Sequence, residues 1–464
     1  MLELTIIAAY FLGMIVVGVV SRRRARQADD FFVAGRKGSS LFITGSLLAT
    51  IVGGSATVGM AGLGFTQGLT GAWWLLVGSI GLVILGLFLA KRVRKFGLYT
   101  LPELVGKQYD GRMSLAASVL IVIAWIGIIA GQIIASGKII SVLGIGDPLL
   151  WMVLFTIVFV AYTILGGQYA VIRTDTIQTV IIFAGIFGGL ALLLSHLGGL
   201  SGLRGSLSPE QFDFPLSPQF GGVDLVKFLL LIGLTYVVGP DMYSRLFCAK
   251  DGGTARVSAL WAALFIVPIA FGITLIGMGA SALFPQISPE QALPMVIKEV
   301  LPPFLGGIVL AALLCAVMSS ADTTLLSAST ILTVDIIGRF RPSLHQGQMV
   351  TLTRWMIVVL GLGSLALALA LKGVINALLF AYTIYTAGLI LPVIAGFYKD
   401  RLRVTPVGAL AAIIGGGSAA LISKLLDIKY LDLGALLISV LLLFLVSFID
   451  NRRRAGKGTS KLVT

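Results

Sequence analysis

The sequence predicts an all-α integral membrane protein with about thirteen transmembrane helices. Of its 464 residues, 57% are hydrophobic and only 12% are charged, whereas soluble globular proteins carry about 25% charged residues. The apolar residues form continuous blocks of about twenty, which is the length that crosses a hydrocarbon core about 30 Å thick. These blocks do not alternate apolar and polar residues as the strands of a membrane barrel do. Helices are therefore the expected spanning elements.

The predicted spans run from one end of the chain to the other. We expect the first to be a transmembrane helix and not a signal peptide, because it is too long for the apolar region of a signal peptide, lacks a basic segment before it and lacks a clear small-residue cleavage site. In order, the spans are 2–20, 40–65, 71–90, 113–143, 149–165, 171–196, 224–247, 257–283, 303–337, 350–371, 374–397, 404–425 and 431–449.

Basic residues orient these spans. Runs such as "RRRAR" at 22–26, "KRVRK" at 91–95 and "RRR" at 452–454 follow odd-numbered spans, and most of the 34 Lys and Arg residues fall on the same side. Since cytoplasmic loops are enriched in Lys and Arg, we predict a cell-membrane protein with its N-terminus outside and its C-terminus in the cytoplasm. The net charge of +14 then reflects topology and not nucleic-acid binding.

Other function classes receive no support. The sequence contains no GxxxxGK[ST] phosphate loop, so nothing indicates nucleotide hydrolysis. We expect no enzymatic activity, no organic cofactor and no obligate protein partner beyond the lipid bilayer.

Two loops suggest an internal inverted repeat. "FGLYTLPELVGKQYDGR" follows span three on the inside, and "FPQISPEQALPMVIKEVLPP" follows span eight on the outside. Comparable loops five spans apart on opposite faces are expected of two five-helix units with inverted topology. The predicted organisation is 1–39, a leading helix and basic loop; 40–223, the first unit; 224–403, the second; and 404–464, two trailing helices and a basic tail.

Each predicted unit begins with an interrupted helix. Gly53 and Gly54 are adjacent in span two, and Gly239 precedes Pro240 in span seven. Proline cannot continue a helix, because it lacks the N–H and clashes with the preceding turn. Broken helices at matching places in inverted halves indicate a substrate site at the membrane midplane. The alternative for the glycine pair is that it only permits close helix packing.

Span nine carries an unusual polar face, "AVMSSADTTLLSAST". At 100° per residue, six positions fall in one 100° sector, and Asp322 flanks it. The six are Ala316, Ser319, Ser320, Thr323, Ser327 and Thr330. Oxygen ligands suit a hard cation such as Na+, and carbonyls freed around Ala49 and Val52 would complete the site. The alternative is that these hydroxyls only bond their own helix or a neighbour.

These motifs, with "DFFVAGRK", "YTLPELVGKQY" and "GGQYAVIRTDTIQT", resemble the sodium:solute symporter family over about 30–399. "MSSADTTLLSAS" and "LLATIVGG" are similar to its choline-transporter and related bacterial branch. The resemblance implies a LeuT-type fold, with one leading and two trailing helices around the inverted five-plus-five repeat.

The resemblance also implies residues for the coupling ion. A Na+ site would use the carbonyls of Ala49, Val52 and Ala316 with the hydroxyls of Ser319 and Ser320.

Asp175 matches an aspartate tied to a second sodium position in some family members. Asp322 and Thr323 stand where those members have hydroxyls. Asp175 and Asp322 either hold a second Na+, or one of them carries a proton. For Asp175, the alternative is an N-terminal cap or an ion pair with Arg173.

The substrate site is predicted from groups beside the two breaks and on spans four and eleven. Asp241 either receives an amine or pairs with Arg245 in an i,i+4 arrangement. Choline is disfavoured, because Ile51 stands where the choline branch has a tryptophan. A sugar is disfavoured, because the positions that carry amides and carboxylates in sugar-binding family members lack them here. The candidates are Gly53, Ser55, Thr57, Trp125, Gln132, Tyr236, Asp241, Tyr243, Tyr382 and Tyr385.

The resulting prediction is a secondary active transporter. Inward Na+ movement would drive uptake of a small organic solute by alternating access, the solute being an amino acid or a related amine or carboxylate. The closest alternative is a proton-coupled symporter of the same fold. A channel and a transporter-like sensor rank below it.

Overall fold

The computed structural model describes residues 2–22, 27–141, 144, 146–371, 373–426 and 431–460. The chain is built from α-helices, as the sequence predicted. The N-terminal helices are α1 (Leu2–Arg22), α2 (Ala28–Val33), α3 (Ser40–Ile51), α4 (Met60–Gln67), α5 (Trp73–Ile84), α6 (Ala90–Lys95), α7 (Leu101–Gln108), α8 (Gly111–Ser141), α9 (Pro148–His196) and α10 (Gly199–Ser206).

The remaining helices begin after an ordered loop. They are α11 (Gly222–Phe228), α12 (Leu234–Val237), α13 (Pro240–Cys248), α14 (Gly252–Leu283), α15 (Ala292–Val300), α16 (Pro303–Ile331), α17 (Gly338–Phe340), α18 (Gln346–Ala370), α19 (Val374–Tyr385), α20 (Leu391–Gly396), α21 (Lys399–Leu402), α22 (Pro406–Leu425) and α23 (Leu431–Ser460).

Short 3₁₀ and π-helical segments join or extend these helices. The 3₁₀ segments are Ala34–Arg36, Gly68–Ala72, Pro209–Phe212 and Pro289–Gln291. The π-helical segments are Ser55–Gly59, Leu85–Leu89, Leu229–Gly233, Leu332–Ile337 and Thr386–Ile390.

Within the described residues, eleven helices are long and apolar enough to cross a membrane. Two of them are far longer than one crossing. Pro148–His196 has 49 residues, and a straight helix of that length would rise about 73 Å against a hydrocarbon core of about 30 Å. Ser55–Lys95 has 41 residues and contains the turn Gly68–Ala72. The predicted count of about thirteen spans stays a prediction.

Gly167 bends the longest helix. Its φ of 52° and ψ of −158° interrupt the helical backbone of α9, close to the end of the predicted span 149–165. A β-carbon at Gly167 would lie 2.6 Å from the ring of Phe31 and 2.8 Å from its carbonyl oxygen. Glycine is needed here both for its backbone conformation and for the close approach of α2.

Helix α16 lies at the centre of the protein. In its spanning segment, Pro303–Phe340, 83% of the most apolar window is buried, compared with 22% for the segment of α1. It packs against α9, α8 and α1. The polar face of span nine is therefore surrounded by protein and does not face lipid.

Both predicted amphipathic loops contain a short helix. Helix α7 begins with a capping box, in which the Thr100 hydroxyl accepts from the Glu103 N–H at 3.1 Å and the Glu103 carboxylate accepts from the Thr100 N–H at 3.2 Å. Helix α15 follows the 3₁₀ turn Pro289–Gln291. Assignment of the two loops to opposite membrane faces, and the four-part division of the chain, stay predictions.

Candidate functional site: a cation-binding centre beside a midplane cavity

The first broken helix has the geometry expected from its glycine pair. Helix α3 ends at Ile51, and Val52 leaves the helical region with φ −84° and ψ 64°. The Gly54 N–H donates to Oε1 of Gln132 at 2.7 Å, and the Thr57 hydroxyl donates to the Gly53 carbonyl at 2.9 Å. Because side chains satisfy the freed backbone groups, the chain can unwind inside the protein.

The second break lies at Gly239 and Pro240. Helix α12 ends at Val237, and Val238 has φ −136° and ψ 62° before α13 starts at Pro240. The Tyr385 hydroxyl donates a hydrogen bond to the freed Val238 carbonyl. Both helices are thus interrupted where the sequence predicted, and each break is held by a side chain from another helix.

The two serines of α16 face the first break. The Ser319 hydroxyl lies 2.7 Å from the Ala49 carbonyl oxygen and 3.1 Å from that of Ala316. The Ser320 hydroxyl lies 2.6 Å from the Thr50 carbonyl oxygen. Both serine side chains are buried.

Three of the five predicted Na+ ligands, Ala49, Ala316 and Ser319, are thus in contact, and a fourth, Ser320, meets the neighbouring carbonyl of Thr50 instead. Val52, the fifth, caps the same helix end and is buried. Carbonyl and hydroxyl oxygens match the preference of a hard cation, so the residues present fit Na+. The sequence did not single out Thr50, whose carbonyl also joins this cluster.

A buried ion pair adjoins these serines. The Arg245 Nη2 lies 3.0 Å from Oδ2 of Asp175 and 3.0 Å from the Thr50 hydroxyl, and it also donates to the Thr323 hydroxyl. The Ser46 hydroxyl donates to the same Asp175 oxygen. Arg245 and Asp175 are both 0% exposed, so each charge depends on the other for compensation.

This pair corrects two predictions. The proposed i,i+4 pair of Asp241 with Arg245 is wrong: among the described residues, the guanidinium pairs with Asp175 and not with Asp241. The proposed ion pair or cap for Asp175 is also wrong, because Asp175 lies inside α9 and Arg173 stacks on the Tyr169 ring, 4.3 Å from its centroid.

Asp322 is the least satisfied charged group of the cluster. The Thr323 hydroxyl donates to its Oδ1 at 3.3 Å, whereas Oδ2 has no hydrogen-bond partner among the described residues. Oδ1 of Asp175 is likewise buried without a partner in the described part of the chain. Asp175, Asp322 and Thr323 thus lie close together, as the prediction of a second cation or proton site requires, with Arg245 between two of them.

A narrow cavity lies between the two breaks. Among the described residues, its lining contains one charged residue, Asp241, and three aromatic rings. It is lined by Thr50, Ile51, Gly53, Ser55, Trp125, Ile128, Gln132, Thr235, Tyr236, Asp241, Met242, Ser320, Thr324 and Tyr382. Gly53 and Ser320 connect the cavity to the serine cluster, because a β-carbon on Gly53 would overlap the Ser320 hydroxyl.

Seven of the ten predicted substrate residues line this cavity. Three do not. The Thr57 hydroxyl bonds the Gly53 carbonyl, Tyr385 bonds the Val238 carbonyl, and Tyr243 is fully buried. Tyr385 still supports the cavity wall, because its ring packs 4.8 Å from that of Trp125.

Sequence reasoning considered Arg245 as the alternative partner of Asp241 and so missed its contacts with Asp175, Thr50 and Thr323. A signal was available. Arg245 lies five residues after Pro240, where α13 begins, and five residues of helix rise only about 7.5 Å. A break near the midplane therefore leaves Arg245 inside the membrane.

The chain was compared with known proteins and solved structures. The model of the "Sodium:solute symporter family" matches residues 31–416. The sodium/pantothenate symporter of Escherichia coli is 26% identical, covering 96% of this chain and 95% of that protein. The sodium/glucose cotransporter of Vibrio parahaemolyticus is 26% identical, covering 92% and 86%.

The fold has a solved counterpart. A substrate-bound, outward-open Na+-coupled sialic acid symporter superposes with a TM-score of 0.83 at 19% sequence identity, covering 97% of this chain and 98% of that one. These relatives differ in their named solutes. The predicted closeness to the choline-transporter branch stays a prediction.

Proposed function

Because the chain belongs to the sodium:solute symporter family, a family of multi-pass Na+-coupled transporters, we propose that it takes up a small organic solute through the cavity between its broken helices. One observation carries this proposal: the Ser319 and Ser320 hydroxyls lie within 2.7 Å of carbonyl oxygens at the end of α3. Ser320 also lines the cavity, so ion and solute would stabilise the same arrangement of α3 and α16.

We propose Ala49, Val52, Ala316, Ser319 and Ser320 as the Na+ ligands. In this arrangement Na+ would hold the broken end of α3 against α16. A solute in the cavity would then contact Gly53 and Ser320 from the other side, and alternating access would carry both across the membrane.

The proposed solute carries an amine, as an amino acid does. Asp241 supplies the negative charge in the cavity lining, and Arg245 does not neutralise it directly. The rings of Trp125, Tyr236 and Tyr382 are suited to a cationic group, since aromatic faces attract ammonium ions. Asp241→Asn should therefore weaken binding of an amine more than binding of its uncharged analogue.

The full-length protein in detergent provides the first test. Its thermal stability would be screened against small amines and amino acids with Na+ or with K+ present. A true substrate should raise the melting temperature more in Na+, and it should be taken up by proteoliposomes only with an inward Na+ gradient.

A double variant and its matched control test the ion site. Ser319→Ala with Ser320→Ala should abolish the Na+-dependent stabilisation. Ser118→Ala with Ser136→Ala removes two buried hydroxyls whose hydrogen bonds, within the described part of the chain, go to their own helix at 2.7 Å each, and should retain it. Equal Na+ responses in the two double variants would refute the proposed ligands.

Proton coupling is the second candidate, favoured by Oδ2 of Asp322, which has no hydrogen-bond partner among the residues that the structure describes. Uptake in Na+-free medium driven by a pH gradient would establish it and would reject Na+ coupling. The proposed orientation, with the N-terminus outside and the C-terminus cytoplasmic, is tested by labelling single cysteines at the two ends from outside intact cells. Counterflow of labelled solute would separate a carrier from a channel.

A further inference from the structure

A second cavity lies where helices α6, α7 and α20 end. Arg92 and Lys95 from α6 line it, together with Gln108 from the end of α7. The spanning segment Ser55–Lys95 also ends there, so the cavity lies at a membrane surface. The proposed orientation makes this the cytoplasmic surface.

The cavity lining is positively charged. In the part of the chain that the structure describes, neither Arg92 nor Lys95 forms an ion pair with a carboxylate. The Arg92 guanidinium lies over the ring of Tyr398, 5.3 Å from its centroid, so it is held against the cavity wall. Lys399 adds a cation nearby, because its ammonium donates to the Gln108 carbonyl at 3.2 Å. Such a group of cations favours an anionic ligand such as a phosphate.

Gln108 adds a buried amide to the cavity wall. The residue is 8% exposed, and among the described residues neither Oε1 nor Nε2 of its amide has a hydrogen-bond partner. Gly396 permits this position, because a β-carbon there would overlap Oε1 of Gln108. A buried polar group without a partner is unfavourable. A ligand with both an acceptor, such as a phosphate oxygen, and a donor, such as a hydroxyl, would satisfy this amide.

The helix surface that leads to the cavity is apolar and exposed. Leu87 and Phe88 are 46% and 59% exposed within a membrane-spanning segment, where they suit contact with acyl chains. Phe88 lies four residues before Arg92, and residues at this spacing share a face of a helix. The lining also includes Tyr398, and tyrosine is enriched at membrane interfaces. An apolar surface that ends in cations matches a phospholipid and does not match a free phosphate ion.

We propose that this cavity binds the headgroup of an anionic phospholipid from the cytoplasmic leaflet. Arg92 and Lys95 hold the phosphate, Gln108 bonds the phosphate and a headgroup hydroxyl, and an acyl chain lies along Phe88. Phosphatidylglycerol has this chemistry, because its headgroup carries an anionic phosphate and free hydroxyls. The leaflet rests on the proposed orientation, whereas the site itself depends neither on Na+ coupling nor on the identity of the solute.

The bound lipid would join the two predicted five-helix units. Arg92 and Lys95 belong to the first unit, 40–223, and Tyr398 belongs to the second, 224–403, yet all three line the same cavity. A lipid that contacts both units stabilises the arrangement in which their ends lie together, and it disfavours an arrangement in which they separate.

Thermal unfolding of the delipidated full-length protein in detergent tests the site. Dioleoylphosphatidylglycerol, dioleoylphosphatidylcholine and inorganic phosphate are added separately. Phosphatidylglycerol should raise the melting temperature, because it binds the folded protein, and the other two should raise it little. Equal shifts with the two lipids would overturn the proposal. An equal shift with inorganic phosphate would also overturn it, because the cavity would then be a site for a free ion.

A double variant and its matched control locate the binding. Arg92→Gln with Lys95→Gln should weaken phosphatidylglycerol binding at least about tenfold, since basic residues provide the attraction to anionic lipid. Arg112→Gln with Lys250→Gln removes the same charge from two exposed residues outside the cavity lining, on the same predicted membrane side, and should bind as the wild type does. Equal weakening in the two double variants would show attraction to the basic surface as a whole and would overturn the site.

Gln108→Leu separates a binding role from a structural one. Because the Gln108 amide has no hydrogen-bond partner among the described residues, the variant should melt no lower than the wild type without lipid. It should nevertheless need a severalfold higher concentration of phosphatidylglycerol for the same stabilisation. A lower melting temperature without lipid and an unchanged response to lipid would overturn the role of Gln108. If a variant does not fold, the comparison of the two lipids on the wild type still decides the proposal.

Discussion

Replacing Gly53 by alanine tests the contact between the first break and the proposed Na+ site. The new β-carbon would overlap the Ser320 hydroxyl and lie 2.8 Å from the Ser320 β-carbon and 2.9 Å from Oε1 of Gln132. Both neighbours are fixed by other bonds: Ser320 to the Thr50 carbonyl at 2.6 Å, and Gln132 to the Gly54 N–H at 2.7 Å. Neither side chain can move away from the new β-carbon without breaking its hydrogen bond.

The expected magnitude follows from these contacts. Overpacking a filled interior by one methyl group costs about 1–3 kcal/mol, and displacing the Ser320 hydroxyl from its carbonyl partner costs about 1 kcal/mol more. Most of this penalty falls on the Na+-competent arrangement, because Ser320 is one of the proposed ligands. Since 1.4 kcal/mol corresponds to a factor of ten, Na+ affinity should fall about 10- to 100-fold.

Thermal unfolding in detergent at increasing Na+ measures this affinity, because a ligand that binds only the folded protein raises its stability with the logarithm of one plus the ratio of ligand concentration to dissociation constant. Gly188→Ala and Gly363→Ala are matched controls in membrane helices α9 and α18, where an added β-carbon meets nothing within 4 Å. If Gly53→Ala responds to Na+ at the same concentrations as these controls, Ser320 is not a ligand or the break does not contact it.

Three further variants probe the fold. Gly167→Ala should destabilise the protein by at least about 2 kcal/mol, because alanine at φ 52° and ψ −158° is strained and its side chain would overlap the α2 segment. Asp175→Asn should cost about 3–5 kcal/mol by leaving the guanidinium of Arg245 without its counter-ion. Burial, and then the hydrogen bond to Asp29, raise the pKa of Tyr99 from 10.0 to about 12. The stability that the Tyr99 hydroxyl contributes is therefore complete below pH 10 and is lost as pH rises to about 12. Tyr99→Phe should remove this alkaline loss of stability.

The effects of Gly167→Ala and Asp175→Asn are measured as melting temperatures in detergent and compared with that of the Gly188→Ala control. A midpoint equal to that of the control would contradict the reasoning for either variant. For Tyr99→Phe the measurement is the melting temperature between pH 9 and pH 12. An alkaline decline as steep as that of the wild type would show that another group titrates there.

The breaks in the two helices were predictable because their cause is local. Adjacent Gly53 and Gly54 lower helix propensity within one turn, and Pro240 removes a donor and obstructs the preceding turn wherever it stands. Likewise, the hydroxyls of span nine share one face because 3.6 residues make a turn. No information from elsewhere in the chain is needed for these inferences.

The partners across helices were not predictable in the same way. Asp241 and Arg245 have the spacing of an i,i+4 pair, yet Arg245 bonds Asp175, which lies 70 residues away in the sequence. The same limit applies to Ser320, whose partner is the carbonyl of Thr50 and not one of the carbonyls expected.

The sequence by itself therefore determined that this is a helical membrane protein with two interrupted helices and a polar face on span nine, since the length of apolar runs, glycine, proline and helical periodicity act over a few residues. Only the tertiary structure decided that Arg245 pairs with Asp175, that Asp241 is left to line the cavity, and that Ser319 and Ser320 meet the carbonyls of α3. Such pairings depend on the rotation and depth of each helix relative to its neighbours. Helix packing sets this rotation and this depth. The local sequence does not encode them, because apolar side chains suit lipid and protein interior equally well.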